Sequence, residues 1–188
     1  MAEIVLIRHG QTEWSAEGRH TSYTDLPLTA EGERQARAAG ERIAGRSFAA
    51  VLASPRQRAL RTAELAGLTV TEVVDDLAEW DYGEYEGVTT AGIRAGRPGW
   101  SLWTDGCPGG ESPAGVGARL DRVLARARGF GGDVALVAHG HCLRVAGARW
   151  IGLPPAGGGL LRLDTGTISV LGFEHDADPV LLSWNAGR

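Results

Sequence analysis

The sequence predicts an α/β protein: a three-layer sandwich in which helices cover both faces of a mostly parallel β-sheet, with one antiparallel edge strand. Two observations predict this class. Short, continuously apolar segments alternate with helical segments, a pattern typical of parallel strands that are buried on both faces. The C-terminal segment instead has the pattern of a hairpin, which places one antiparallel strand at an edge of the sheet.

The predicted strands are short apolar runs bounded by charged residues, glycine or proline. The first four span residues 3–7, 48–53, 68–74 and 133–138. The third run is rich in β-branched residues, which favour strands. The hairpin consists of residues 167–173 and 180–184, joined by a turn at 175–179.

Capping residues mark where the predicted helices begin. Thr29 is a good N-cap for a helix that continues to about residue 46. Ser54, followed by proline, predicts a second start, and that helix stops near residue 67. Ser112, also followed by proline, predicts a third helix, and a fourth extends from about residue 141 to 151.

Length and composition predict a single globular domain. The chain has 188 residues, of which 43% are hydrophobic and 22% charged, so it can bury a core of ordinary size. The irregular, glycine-rich stretch from about residue 81 to 110 is interpreted as an excursion over the sheet edge near the active site. It is not interpreted as a second domain.

Other features bear on location and partners. No apolar run approaches the roughly 20 residues that a membrane-spanning helix needs, and the start of the chain lacks the basic leader of a secretory signal. Cys107 and Cys142 form no CxxC pair, which favours a reducing, cytoplasmic setting. The net charge of −4 argues against a nucleic-acid partner. We therefore expect that neither a membrane nor a nucleic acid is a partner of this protein.

The basic residues narrow the chemistry. All 19 are arginine, and lysine is absent. This excludes Schiff-base catalysis and the phosphate-binding lysine of a P-loop. An anion site in this protein must use arginine, histidine or backbone N–H groups.

Histidines and arginines follow three of the predicted strands. The first strand leads into Arg8-His9-Gly10, the fourth into His139-Gly140, and the second into a segment that contains Arg58. Ligands of parallel sheets bind beyond the carboxyl ends of the strands, so these side chains converge if the three strands are neighbours. Glycine after each histidine permits close backbone approach, and helix N-termini that point to the same place favour an anion.

This combination suits phosphoryl transfer. An imidazole can attack phosphorus and hold the group covalently, while arginines neutralise the non-bridging oxygens. The leaving oxygen needs a proton donor, and the acidic segment at residues 77–83 contains Glu79. Two alternatives stay open: strand-terminal histidines with a structural role, and a metal pair at His139 and His141. No acidic or cysteine partner stands at metal-ligand spacing, so we expect no metal.

Four segments resemble motifs of the histidine phosphatase superfamily, which includes phosphoglycerate mutases and many phosphatases. Residues 6–14 resemble its nucleophile signature, 54–63 its second arginine motif, 77–87 its acid motif and 137–141 its second histidine motif. They occur in the family's order and span nearly the whole chain. The resemblance implies a phosphoglycerate mutase-like sheet of about six strands and no cofactor.

The resemblance also implies roles for five residues. His9 would be the phosphorylated nucleophile, and Arg8, Arg58 and His139 would hold the phosphoryl group. Glu79 would donate the proton and later act as base for water. The implied activity is that of a metal-independent phosphomonoesterase acting on small phosphorylated metabolites, such as sugar phosphates or bisphosphates.

Two departures favour a phosphatase over a mutase. Mutases of the family commonly carry asparagine where Ser15 stands, and they place a long basic insertion between the acid and the second histidine. Here that interval is short and lacks lysine. A cofactor-dependent phosphoglycerate mutase and a non-catalytic phosphate-binding protein remain the alternatives.

Further segments resemble a subgroup that contains acid phosphatases and sedoheptulose-1,7-bisphosphatase. This resemblance suggests a substrate rim, although the same residues would also suit a helix cap and a turn. The candidate rim residues are Ser15, His20, Thr21, Ser22, His141, Glu111 and Ser112. The edge of the C-terminal hairpin would allow pairing into a homo-oligomer, or could simply end the sheet.

Overall fold

The computed structural model describes residues 2–175 and 177–187. It contains one six-stranded sheet in the order β3-β2-β4-β1-β5-β6. In chain order the strands are β1 (Ile4–Arg8), β2 (Ala50–Ala53), β3 (Glu72–Val73), β4 (Val134–Ala138), β5 (Ile168–Glu174) and β6 (Asp178–Ala186).

Helices cover both faces of this sheet. They are α1 (Glu13–Glu17), α2 (Ala30–Arg42), α3 (Gln57–Leu65), α4 (Thr90–Gly96), α5 (Leu102–Asp105), α6 (Pro113–Arg128) and α7 (Gly140–Trp150). Thr29 caps α2 and Ser112 caps α6 through their side-chain oxygens, as their positions in the sequence predict.

Two hydrophobic cores lie on opposite faces of the sheet because successive strand residues point to opposite sides. Leu6 and Leu136 belong to the core that packs under α6 and α7. Ile7 and Val137 belong to the second core, together with small residues of α2 and α3 such as Ala39 and Ala63. Both faces of the central strands are therefore buried, which explains their continuously apolar sequences.

The predicted fold class is confirmed, with one difference in detail. Strands β1, β2, β3 and β4 are parallel, and β5 is antiparallel to β1. The antiparallel strand β5 therefore lies one position inside the sheet, and β6 forms the edge. After β5, which pairs with β1, the hairpin leads the chain into β6 at the edge of the sheet. Asp176, in the predicted turn, lies outside the described residues.

Two local predictions were wrong. The run at residues 68–74 pairs as a strand only over Glu72–Val73, at the edge of the sheet where a single neighbour supplies partners. Ser54 is not an N-cap, because α3 begins after Arg56. The Ser54 hydroxyl lies 2.7 Å from Nε2 of His139 instead, and a buried imidazole without a partner would be costly.

Within the described residues, none of the helices has the length and apolar character needed to cross a membrane.

Candidate active site

The carboxyl ends of β2, β4 and β1 are adjacent, which is the condition under which the predicted side chains converge. The His9 backbone N–H donates to the carbonyl of Ala138 at 2.9 Å, so the two histidine segments are joined directly after their strands. The ring centroids of His9 and His139 are 5.1 Å apart, in an edge-to-face arrangement. The sheet order therefore brings two distant histidines into contact.

The loop after β1 is held by close backbone packing. A Cβ on Gly10 would lie 2.1 Å from the carbonyl oxygen of Gly32 in α2, so only glycine fits there. The Gly10 N–H donates to Oγ1 of Thr62 in α3 at 3.0 Å. Helices α2 and α3 thus fix the position of the segment that carries His9.

His9 is held as a neutral imidazole with one free nitrogen. Its Nδ1 lies 2.7 Å from the carbonyl oxygen of Gly10. Because a carbonyl only accepts, Nδ1 carries the hydrogen and Nε2 keeps its lone pair. Burial, reinforced by the charges of Arg58 and Arg8, holds the pKa of His9 well below its usual value. Residue His9 as a whole is only 5% exposed, so its neutral ring is largely shielded from bulk water.

Arg8 lies beside His9 with an unpaired donor. One of its terminal nitrogens donates to the carbonyl of Leu163. Its Nε–H is buried and makes no hydrogen bond to any residue that the structure describes. A Cβ on Gly140 would lie 3.1 Å from the guanidinium carbon of Arg8, so the guanidinium packs on the first turn of α7. Burial lowers the pKa of Arg8, and an anion would stabilise its charge.

Arg58 and His139 are fully buried and lie behind the cavity wall. Nε of Arg58 donates to Nδ1 of His139 at 3.1 Å. Nδ1 is therefore an acceptor, and Nε2 carries the hydrogen and donates to the Ser54 hydroxyl. Burial and the charge of Arg58 hold the pKa of His139 well below its usual value. The structure brings both residues next to His9, but not to the cavity surface.

The remaining nitrogens of Arg58 hold the loop at residues 21–24. They donate to the carbonyls of Thr24 at 3.0 Å, Ser22 at 3.0 Å and Thr21 at 3.2 Å. The carboxylate of Glu86 accepts from the backbone N–H of Ser22 and from that of Thr24. Arg58 therefore couples this loop to the two histidines.

Glu79 lies at the N-terminus of α7 and lines the same cavity as His9. Its Oε1 accepts from the backbone N–H groups of Trp80 at 2.9 Å and Cys142 at 2.8 Å. Its Oε2 accepts from the N–H of His141 at 3.0 Å and from no other described residue. Oε2 is therefore the oxygen with spare capacity for a proton or a water molecule.

The cavity has a volume of about 260 Å³. This is slightly below the roughly 300–1,000 Å³ of typical ligand pockets, so it suits a small metabolite. Of the predicted rim residues, four line it: Ser15, His20, Thr21 and His141. The Ser15 hydroxyl also completes a capping box with Thr12. These four side chains are therefore placed where a bound substrate would meet them, and their role as a substrate rim stays a prediction.

Three other predicted rim residues do not line the cavity. Ser22 is only 4% exposed and is bound by Glu86. Glu111 pairs with Arg119, at 2.8 Å between Oε1 and Nε, and accepts the backbone N–H of Asp81. Ser112 caps α6. The helix-cap and turn interpretation therefore describes Glu111 and Ser112 better than the rim interpretation.

The sequence reasoning missed Arg144, which also lines the cavity. It stands four residues after Gly140 in α7 and so lies on the same helix face, a signal that helical periodicity contains. Tyr82 and Thr90, from the excursion, line the cavity as well. No group of three or more metal-ligating side chains occurs among residues 2–175 and 177–187.

Comparisons with known proteins identify the family to which the chain belongs. A family model described as the histidine phosphatase superfamily (branch 1) matches residues 4–187. An acid phosphatase of Mycobacterium tuberculosis is 48% identical over 176 residues, which cover 92% of this chain and 87% of the relative. A sedoheptulose 1,7-bisphosphatase of Saccharomyces cerevisiae is 37% identical over 183 residues, covering 79% of this chain and 67% of the relative.

A solved structure shows the same likeness. Mycobacterial glucosyl-3-phosphoglycerate phosphatase, in complex with VO3, superposes with a TM-score of 0.87 at 31% identity, covering 99% of this chain and 100% of that one. The family match spans nearly the whole chain and includes every strand of the sheet. The chain belongs to the histidine phosphatase superfamily and is an enzyme of its phosphatase class.

Proposed function

We propose that this protein is a metal-independent phosphomonoesterase that hydrolyses small phosphorylated metabolites through a phosphohistidine on His9. The observation that supports this most directly is the hydrogen bond from Nδ1 of His9 to the Gly10 carbonyl. It leaves Nε2 unprotonated on a residue that lines the cavity together with Arg8, whose Nε–H is unpaired among the described residues. A fixed lone pair beside an unsatisfied cation is what attack on a phosphate ester requires.

In the first step, Nε2 of His9 attacks phosphorus and the bond from phosphorus to the ester oxygen breaks. The leaving oxygen takes a proton from Oε2 of Glu79, so the alcohol departs neutral. Arg8 donates its free N–H to a phosphoryl oxygen and stabilises the charge that spreads over these oxygens. The N-terminus of α7 adds a favourable dipole.

In the second step, Oε2 of Glu79 takes a proton from a water molecule, which attacks phosphorus. The bond from phosphorus to Nε2 then breaks and releases inorganic phosphate. Glu79 ends protonated and His9 ends neutral, so the cycle is closed. The net reaction is ester plus water to alcohol plus phosphate.

Arg58 and His139 are proposed to stabilise the phosphoryl group from behind His9. Arg58 is close enough to His9 for its charge to lower the pKa of that ring. The positive charge of Arg58 also favours a bound phosphoryl dianion. Little water screens this charge, because the side chains of Arg58 and His139 are fully buried. His139 fixes the guanidinium through its Nδ1.

The relatives support hydrolysis of small esters. Their names describe an acid phosphatase, a sugar bisphosphatase and a glucosyl-3-phosphoglycerate phosphatase. We also propose a cytoplasmic location, on the two cysteines without a CxxC pair. Pairing of two copies along β6, which forms an edge of the sheet, would give a homo-oligomer.

The proposal is tested by phosphate release from a panel of sugar phosphates and phosphoglycerates. His9→Ala should lower kcat by at least about 10⁴-fold, because removal of a covalent nucleophile leaves only binding effects. His175→Asn is the matched control, since His175 lies in the exposed hairpin with a positive φ that asparagine tolerates. Its rate should equal that of the unchanged protein.

Two further measurements separate the alternatives. Rapid quenching with labelled substrate should trap a phosphoryl group that is stable to alkali and labile to acid, as expected for phosphohistidine. Rates should be unchanged in EDTA. Activity that is lost in EDTA and restored by Zn²⁺ would instead favour the metal pair at His139 and His141, and turnover only with a bisphosphate primer would favour a mutase.

A further inference from the structure

Glu79 lies in a segment that regular secondary structure does not hold. Residues 78–82 form neither a helix nor a strand, so no ladder of backbone hydrogen bonds fixes their position. Proton transfer to a leaving oxygen requires the two heavy atoms to lie about 2.6–3.2 Å apart. Two side chains that do not line the cavity of His9, those of Arg119 and Glu111, contact this segment on both sides of Glu79.

Arg119 holds the backbone that precedes Glu79. It projects from α6 and is only 8% exposed. Its Nη1 donates to the carbonyl of Asp76 at 2.7 Å and to that of Ala78 at 2.8 Å. Hydrogen bonds from a charged donor are stronger than those between neutral groups. The residue directly before the acid is therefore fixed by a buried cation.

Glu111 holds the backbone that follows Glu79. Its Oε2 accepts from the backbone N–H of Asp81 at 2.9 Å, and its own backbone N–H donates to the carbonyl of Asp81 at 2.9 Å. Its carbonyl accepts from the indole N–H of Trp80 at 3.0 Å. The backbone N–H of Trp80 is one of the donors to Oε1 of Glu79. The two residues after the acid are thus both tied to Glu111.

Arg119 and Glu111 are also bonded to each other. Nε of Arg119 donates to Oε1 of Glu111 at 2.8 Å, and Nη2 donates to Oε2 at 3.0 Å. This is the two-pronged geometry that the planar guanidinium makes with a carboxylate. The pair therefore links the backbone on one side of Glu79 to the backbone on the other side.

The carboxylate of Glu79 is held separately from its backbone. It accepts from two backbone N–H groups in the first turn of α7, at 2.8 and 3.0 Å. The acid is therefore attached at one end to α7 and at the other end to the pair of Arg119 and Glu111. Loss of the pair would let the backbone shift relative to α7, and the position of Oε2 relative to His9 would change with it.

We propose that Arg119 and Glu111 are positioning residues that fix Glu79 for proton transfer to the leaving oxygen. They touch neither the substrate nor the reacting atoms, and they act through the backbone of residues 76–81. This inference rests on the proposed hydrolysis, in which Glu79 is the proton donor.

The test compares two esters whose alcohols differ in their need for a proton. 4-Nitrophenolate is a stable anion and leaves 4-nitrophenyl phosphate unprotonated, whereas the alkoxide of benzyl phosphate needs a proton. Because kcat/KM covers only the steps up to departure of the alcohol, it reports on Glu79 as an acid and not on its later role as a base. Glu79→Gln should lower kcat/KM about 10²–10⁴-fold for benzyl phosphate and far less for 4-nitrophenyl phosphate.

The positioning variants should show the same selectivity. Arg119→Gln removes the charge and the fork, and a displacement of about 1 Å costs about 100-fold in rate. The ratio of kcat/KM for benzyl phosphate to that for 4-nitrophenyl phosphate should therefore fall by about 10–100-fold. Glu111→Gln keeps one accepting oxygen and should lower the ratio less.

Arg122→Gln is the matched control, three residues further along α6. Its exposed guanidinium binds the same segment, but through the side chain of Asp76, at 2.9 Å. It should leave the ratio of the two kcat/KM values unchanged, because an exposed ion pair holds little.

A double variant separates positioning from a general structural role. If Arg119 acts through Glu79, Arg119→Gln combined with Glu79→Gln should lose no more activity on benzyl phosphate than Glu79→Gln alone. If Arg119 only supports the fold, its loss should add to that of Glu79→Gln and should be equal on both esters.

Each outcome bears on the proposal. Equal losses on both esters for Arg119→Gln, additive losses in the double variant, or an unchanged ratio in both positioning variants overturn this inference. They leave the proposed hydrolysis standing as long as Glu79→Gln is selective for benzyl phosphate. If Arg119→Gln does not fold, the ratio for Glu111→Gln decides. Equal losses on both esters for Glu79→Gln would remove the acid assigned in the proposed hydrolysis, and this inference with it.

Discussion

Replacing Gly140 by alanine should lower the activity of the protein without lowering its stability. Gly140 is the first residue of α7 and its φ is not positive, so alanine can adopt its backbone conformation. Alanine is the better helix former by at most about 1 kcal/mol. The fold should therefore be unaffected or slightly stabilised.

The added methyl group acts on Arg8. Its carbon would lie 3.1 Å from the guanidinium carbon and 3.2 Å from Nε. Carbon atoms in contact are normally about 3.5–4.0 Å apart, so the guanidinium must retreat by roughly half an ångström. Arg8 cannot swing away freely because it also donates to the Leu163 carbonyl. A misplacement of about 1 Å costs about 100-fold in rate, so half of that should cost about 10-fold.

The assay pairs kcat/KM for a simple phosphate ester with thermal unfolding of the same samples. We expect a roughly 10-fold loss of kcat/KM with an unchanged or higher Tm. Gly96→Ala is the matched control, since nothing lies within 4 Å of its added carbon at the end of α4. Full activity of Gly140→Ala would refute the position assigned to Arg8 in the reaction.

Two other predictions follow from the same geometry. Burial and two arginines lower the pKa of His9, so the ring should stay neutral as the pH falls through 6.5. An ordinary imidazole would be about nine-tenths protonated at pH 5.5. An NMR titration of the His9 ring with a midpoint near pH 6.5 would contradict this prediction. Ser112→Ala removes an N-cap, which accepts from the Gly115 N–H at 3.1 Å, and should cost about 1 kcal/mol. That loss corresponds to a Tm lower by about 2–4 °C in a chain of this size. An altered substrate preference of the Ser112→Ala variant would instead indicate that Ser112 belongs to the substrate rim.

Features that depend on local sequence were predictable. Thr29 and Ser112 begin helices because their own side-chain oxygens accept from the backbone N–H groups three residues later, which have no partner within the helix. The central strands were identified because burial on both faces makes every residue apolar. Parallel pairing places the ends of these strands at one edge of the sheet, and the strand order seen in the structure makes β1 and β4 neighbours, which brings His9 and His139 together.

Features that depend on distant partners were not predictable in the same way. Ser54 has the sequence of an N-cap, but the buried ring of His139 competes for its hydroxyl. Glu111, a candidate rim residue from the subgroup resemblance, accepts the backbone N–H of Asp81, which lies 30 residues earlier in the chain. At Ser54 the long-range hydrogen bond outweighs the local preference for an N-cap, because an unsatisfied buried group costs about 1–3 kcal/mol.

The sequence by itself determined the layers of this protein and which side chains follow three of its strands, since these features depend on periodicity, capping and adjacency along the chain, and its motifs carried the resemblance to the family. Only the tertiary structure decided that Arg58 supports His139 from behind the cavity and that Arg144 faces it against Trp103. The physical reason is that a long side chain is oriented by the partners it meets in space, and the carbonyls and the ring that hold these arginines come from other segments of the chain.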